Sequence, residues 1–238
     1  MFSVRGVSIA LALAVAGAGY AAQAGVVVSA TGPSAAQFPA GKKLDDNARI
    51  VLKAGDKVTV LTANGTRVIS GAGSHQVGAE GASKRSTFAV LTRQRSGQRV
   101  RTGAVRGGPP AADGPARNPS LWYVDVSQAG TMCVADPAAI RLWRPVAQGE
   151  TTFVVVPSDS SQHNHVLFAD GVADTAWDRD RMPLTEGATY SIKAPDGTQR
   201  EVRYTMLDAA PDDPEALAAL LIEKGCTAQL DLLTAAMS

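Results

Sequence analysis

The residues best suited by type and spacing to do chemistry are His163 and His165, separated by Asn164. On an extended strand, side chains alternate between faces, so both imidazoles would project from one face, close enough to share Zn²⁺ or Cu²⁺. Two nitrogens leave such a site half filled. The acids nearest in sequence, Asp159, Asp170, Asp174 and Asp178, do not complete a recognisable ligand spacing, and Ser158-Asp159-Ser160-Ser161-Gln162 reads as a turn. The pair is therefore expected to be exposed at a loop-to-strand boundary, without a metal; the competing reading is a metal-dependent envelope hydrolase centred on His163 and His165. His75, in Gly71-Ala72-Gly73-Ser74-His75, reads as a loop residue. Nucleophile elbows, phosphate-binding loops and HExxH do not occur in the sequence. Asp178-Arg179-Asp180-Arg181 carries its own counter-charges and reads as a solvated turn. These observations predict no catalytic residue and no cofactor.

Cys133 and Cys226 are the two cysteines of the chain. Their chemistry depends on compartment, and the amino terminus speaks to that. Arg5 supplies a positive start, Val7 to Gly19 an apolar run, and Ala22-Gln23-Ala24 a small-x-small cleavage site, the pattern of an export signal over residues 1–24. The apolar run is shorter than the ~20 residues of a membrane-spanning helix, so no span is expected after cleavage, and the location is expected to be periplasmic or secreted. In an oxidising compartment an isolated pair of cysteines becomes a disulfide. Closing so long a loop contributes on the order of 4 to 5 kcal/mol in the chain-entropy model.

The strongest charge asymmetry lies between Lys84 and Arg117, where Arg93, Arg95, Arg99, Arg101 and Arg106 stand among the basic residues and Asp113 is the lone acid. These arginines are the candidate contacts for an anionic envelope polymer. Gly107-Gly108-Pro109-Pro110 and Asp113-Gly114-Pro115 read as linker, and a solvated linker is the preferred reading. Phe88 is the only aromatic residue among the cations, so the stacking platform of a single-strand nucleic-acid binder is missing. The net charge of +1 also argues against nucleic acid as partner.

The elements that would position these residues are mostly strands. Lys57 to Ser70 contains two β-rich runs joined by Asn64-Gly65, the residues a type I′ turn requires. With those two as the loop, Ala63 faces Thr66, Leu61 faces Val68 and Val60 faces Ile69. Apolar pairs then occur on both faces, which predicts a sandwich or barrel. Phe88 to Leu91 and Arg99 to Thr102 read as further strands. Beyond the linker, strands are expected at Leu121–Val126, Thr131–Val134, Ile140–Trp143, Thr151–Val156 and Val166–Phe168, with a hairpin from Tyr190 to Met206 turning at Pro195-Asp196-Gly197. Trp122, Trp143 and Trp177 are available for the core. The tail changes to helical period: Asp212 or Asp213 caps, Pro214 starts, Gly225 stops, and Leu230, Leu233 and Met237 form a second apolar stripe.

Ile50-Val51-Leu52-Lys53-Ala54-Gly55-Asp56-Lys57-Val58, followed by Asn64-Gly65-Thr66-Arg67-Val68, resembles the β-rich periplasmic module of FecR-like proteins, whose repeats carry a Gly-Asp and then an Asn/Asp-Gly turn. The resemblance covers the first third after the signal and implies no catalytic residues. FecR regulators have a transmembrane helix and a cytoplasmic segment, where this chain has a cleavable signal. The chain as a whole resembles a family of exported alphaproteobacterial proteins of uncharacterised activity. The resulting expectation is a mainly β protein with a C-terminal helical pair, built as two small β-sandwich or barrel-like modules. Residues 25–92 form the FecR-like module, 93–119 a basic Gly/Pro-rich linker, and 120–238 a sandwich-like module with C-terminal helices. Its expected role is non-catalytic binding of an envelope protein or other envelope component, as a sensory or accessory part of a signalling system; the third reading is a structural envelope protein holding anionic polymer.

Overall fold

Runs of valine, isoleucine and threonine broken by glycine turns fold into fourteen strands among the described residues, 23–45, 47–78, 84–93 and 116–238 of the computed structural model. β1 (Gln23–Thr31), β2 (Lys43–Asp45), β3 (Arg49–Leu52), β4 (Lys57–Thr62), β5 (Gly65–Ser70) and β6 (Gly73–Gln76) precede α1 (Arg85–Leu91). β7 (Tyr123–Asp125), β8 (Gly130–Val134), β9 (Arg141–Trp143), β10 (Thr151–Pro157), β11 (Asn164–Phe168), β12 (Asp174–Ala176), β13 (Thr189–Lys193) and β14 (Gln199–Met206) lead to α2 (Pro214–Glu223) and α3 (Thr227–Ala236). The protein is mainly β with two C-terminal helices, as the sequence predicts. The described strands form no closed barrel.

The first sheet has the order β2-β1-β4-β5. Val27, Val58, Val60 and Ile69 turn to one face, where they pack with Ile50 and Leu52 of the separate β3–β6 ladder. Val26, Val28 and Leu61 turn to the other and pack with Leu217, Leu221, Leu230 and Leu233 of α2 and α3. The apolar pattern on both faces of β4 thus has two different causes, a second ladder below and a helical pair above. Each fully buried Val or Leu contributes roughly 1.5–3 kcal/mol of transfer free energy.

The second β region is a sandwich. A five-stranded sheet, β11-β10-β13-β14-β8, faces a three-stranded one, β12-β9-β7. Val124 and Leu142 from the smaller sheet meet Phe153, Val155, Phe168 and Ile192 from the larger. Trp177, Tyr190 and Tyr204 close one part of this core with three edge-to-face contacts, ring centroids 5.2 to 5.7 Å apart, an arrangement that sets each positive ring edge against a negative face. Trp122, Trp143 and Trp177 are all buried, as expected. The hairpin of β13 and β14 buries Tyr190, Ile192, Val202 and Tyr204 on one face, again as the alternation predicts.

Three local readings need correction. Phe88 to Leu91 is not a strand but the end of α1; Phe88 and Leu91, both buried, are three residues apart, a helical spacing. The expected strand from Arg99 to Thr102 lies outside the described residues. Gly73 to Gln76 is not a loop but β6, which completes the ladder with β3 and places His75 opposite Ile50. The β4–β5 hairpin turns at Ala63 and Asn64, so that Leu61 faces Thr66 and Thr62 faces Gly65. The cause lies outside the hairpin. The Thr66 N–H donates to the Met237 carbonyl at 2.7 Å, and a Cβ on Gly65, whose φ is +135°, would lie 2.7 Å from that same oxygen. Glycine is therefore needed where the helical tail crosses the strand.

The helices begin and end where their capping residues predict. The Asp213 carboxylate accepts the Ala216 N–H at 2.8 Å with Pro214 following it, and Gly225 ends α2 at φ +73°. α2 lies against β1 and β4, and α3 against β5 and β8. The tail therefore joins the first sheet to the second.

Candidate functional site

Cys133, in β8, is bonded to Cys226 at the start of α3. The expected disulfide is present, and it holds the helix beside the end strand of the five-stranded sheet. One turn along α3, the buried Gln229 completes the junction. Its Oε1 accepts the Cys133 N–H at 2.7 Å, and its Nε2 donates to the Cys133 and Leu121 carbonyls at 3.0 and 2.8 Å. A side-chain amide here takes the place that a neighbouring strand would fill. Sequence reasoning missed Gln229; the available signal was a polar residue standing in the apolar stripe of Cys226, Leu230 and Leu233.

Beside this junction α3 stands away from the sandwich and leaves a cleft of about 570 Å³. Its floor comes from the end strands β7 and β8 and the loop between them, its wall from Ala228, Leu232 and Ala235 of α3, and its rim from Ala116 to Asn118. Tyr123, Met132 and Trp143 make much of the lining apolar. Two carboxylates and one guanidinium enter it: Asp125, Asp231 and Arg117. Asp125 is the most enclosed of the three. Its Oδ1 accepts both the N–H and the hydroxyl of Ser127, at 2.8 and 2.6 Å, the geometry of a turn stabilised by its own first residue. Burial raises the Asp125 carboxyl above the ordinary carboxylate value, against those two hydrogen bonds.

The loops at the far side of the sandwich are held by a residue that sequence reasoning also missed. Arg144 is buried, and its guanidinium donates to the carbonyls of Val172, Gly149, Ala147 and Ala169 at 2.7 to 2.9 Å. It also lies 5.3 Å from the centroid of the Phe168 ring. Four carbonyl dipoles and an aromatic face solvate this charge in place of water.

The residues singled out for chemistry fall elsewhere. His163 and His165 lie on the exposed face at the start of β11, their ring centroids 5.1 Å apart in an edge-to-face arrangement. Period-two geometry does bring the imidazoles together, but the strand exposes them, and among the described residues no three His, Cys, Asp or Glu side chains group as a metal site. His75 is hydrogen-bonded to the Gly71 carbonyl at 2.9 Å. Asp174 belongs to β12, where it pairs with Arg141 of β9 at 2.5 Å, while Asp178 pairs with Arg181 at 3.7 Å. Arg93 is exposed just beyond α1. Arg95, Arg99, Arg101 and Arg106 lie outside the described residues, as does most of the expected signal. No described helix is long and apolar enough to cross a membrane. The chain matches no family model, and neither a curated protein nor a solved structure is significantly similar to it.

Proposed function

We propose that this chain is an exported, non-catalytic binding protein that receives a segment of a partner protein in the cleft beside α3. The carrying observation is the cleft itself: an apolar trough of about 570 Å³ into which a few charged groups converge, the composition typical of binding sites. The Ser127 and Asp125 pair within it has the geometry of a turn, which favours binding over nucleophilic chemistry. The Cys133–Cys226 bond fits an oxidising compartment, and so supports the export reading of residues 1–24. An envelope protein is the partner class this reading carries forward.

The test is a photo-reactive residue in place of Leu232, on the cleft wall, compared with one in place of Val51, exposed on β3. Irradiation in the native envelope should give a protein adduct of defined mass from position 232 and none from position 51. Equal labelling from both positions, or no protein adduct from 232, would overturn the proposal.

A further inference from the structure

We propose that the cleft takes its partner as an added β-strand: an extended, partly basic peptide segment laid along the free side of β8 at Thr131. The inference rests on the binding reading above and gives it a mode.

β8 ends the five-stranded sheet, with β14 as its single strand neighbour. Main-chain N–H and C=O groups of successive strand residues point to alternate sides. Val134 turns its carbonyl toward the β14 side, where it accepts the Leu207 N–H at 2.9 Å. Cys133 turns the other way, as its two bonds to the Gln229 amide demonstrate. Thr131, two residues earlier, therefore points its N–H and C=O in the same direction as Cys133. Gln229 serves Cys133 and no strand serves Thr131, which lines the cleft. β7, the end strand of the smaller sheet, borders the same cleft, with β9 as its single strand neighbour. The trough is thus the open side of a sandwich, bordered by two sheet ends and walled by α3.

Such an edge is complementary to an extended peptide, whose main chain supplies donors and acceptors at the strand repeat while alternate side chains enter the groove. Charge narrows the occupant further. Asp125 and Asp231 enter the cleft against the single guanidinium of Arg117, which is exposed at the rim. An apolar segment bearing a lysine or arginine fits this lining, with the cation at Asp125; an acidic segment does not.

The probe is a fluorescein-labelled synthetic peptide of about seven residues alternating valine with lysine or threonine, read by anisotropy on the intact, disulfide-bonded protein. Replacing its lysines by glutamate should weaken binding at least tenfold. Methylating one alternate set of its backbone nitrogens should weaken binding at least tenfold, while methylating the other set should leave it nearly unchanged, because a strand presents every second N–H to its neighbour. Thr131→Pro, which removes one outward N–H at an edge position where proline is tolerated, should weaken binding tenfold with little change in thermal unfolding. Equal effects of the two methylated sets would overturn strand addition, and so would self-association that competes with the peptide, since the edge would then belong to a second copy. If the peptide fails to bind while position 232 still cross-links a protein, the strand mode falls and the binding reading stands. Failure of both removes both.

Discussion

The side chain of Gln229 hydrogen-bonds both the N–H and the C=O of Cys133, the residue whose sulfur is joined to Cys226 one turn earlier on the same helix. One covalent bond and two hydrogen bonds therefore fix α3 to a single residue of β8. The disulfide sets the distance, and the amide sets the orientation. Because the amide occupies the strand edge at Cys133 and stops there, it also defines where the open edge begins.

Replacing Gln229 by Ala should lower stability by about 2–4 kcal/mol, since three buried main-chain groups lose their partner and each orphan costs roughly 1–3 kcal/mol, partly relieved by water entering from the cleft. Gln229→Leu should do no better, although it restores apolar volume. Denaturant unfolding of the oxidised proteins checks both; a loss below about 0.5 kcal/mol would show that the amide is not holding the helix.

Arg144→Ala should cost on the order of 2–4 kcal/mol, by orphaning carbonyls of two loops at once. Arg144→Lys should recover little. A single ammonium cannot reach four carbonyls that the planar fork spans. Thermal unfolding of the two variants should therefore coincide to within a few degrees.

Two acids give stability opposite pH dependences. Burial, with hydrogen bonding to Asp213 second, raises Glu215 to about 7; its Oε2 is a buried atom with no hydrogen-bond partner. The folded state then binds a proton that the unfolded chain has released, so stability falls as pH rises from the ordinary glutamate range toward 7. Asp56 behaves in reverse. Its carboxylate accepts the Ser34 N–H at 2.8 Å and the Lys53 N–H at 2.6 Å, and the bond from Ser34 is the leading cause that lowers its pKa. Its contribution is present above the ordinary aspartate value and is lost as pH falls through the lower folded value. Glu215→Gln should flatten the decline toward neutral pH and raise stability at pH 8, while Asp56→Asn should remove stability at pH 7 and blunt acid unfolding. Urea unfolding across pH 3 to 8 separates the two.

Much of the fold was legible because its signals are local. Asp213, Pro214 and Gly225 mark α2, the alternation of Tyr190, Ile192, Val202 and Tyr204 marks a one-sided hairpin, and two cysteines in an export context mark their bond. Readings failed where a distant segment decided the outcome. The turn beside Gly65 is displaced because the carbonyl of Met237 arrives from the other end of the chain. Gly73 to Gln76 has little strand propensity of its own and becomes a strand through its ladder with β3. Arg144 and Gln229 were illegible for a related reason: a polar side chain is read as exposed until the carbonyls that surround it are known. The cleft was hidden altogether, since it is made where α3 meets β7 and β8 and no segment carries it alone. The histidine pair shows the converse, a local pattern that the fold leaves on an open surface.

The central claim is that β8 keeps an open edge at Thr131 next to one that is closed at Cys133. Residue-resolved amide hydrogen exchange of the oxidised protein, without any partner, tests it most directly. The Cys133 amide, held by Gln229 at 2.7 Å, should be protected, and the Thr131 amide should exchange faster by roughly a hundredfold or more, as an unbonded amide at a cleft does. Protection of Thr131 equal to that of Cys133 would mean that the edge is already occupied, and would contradict the account.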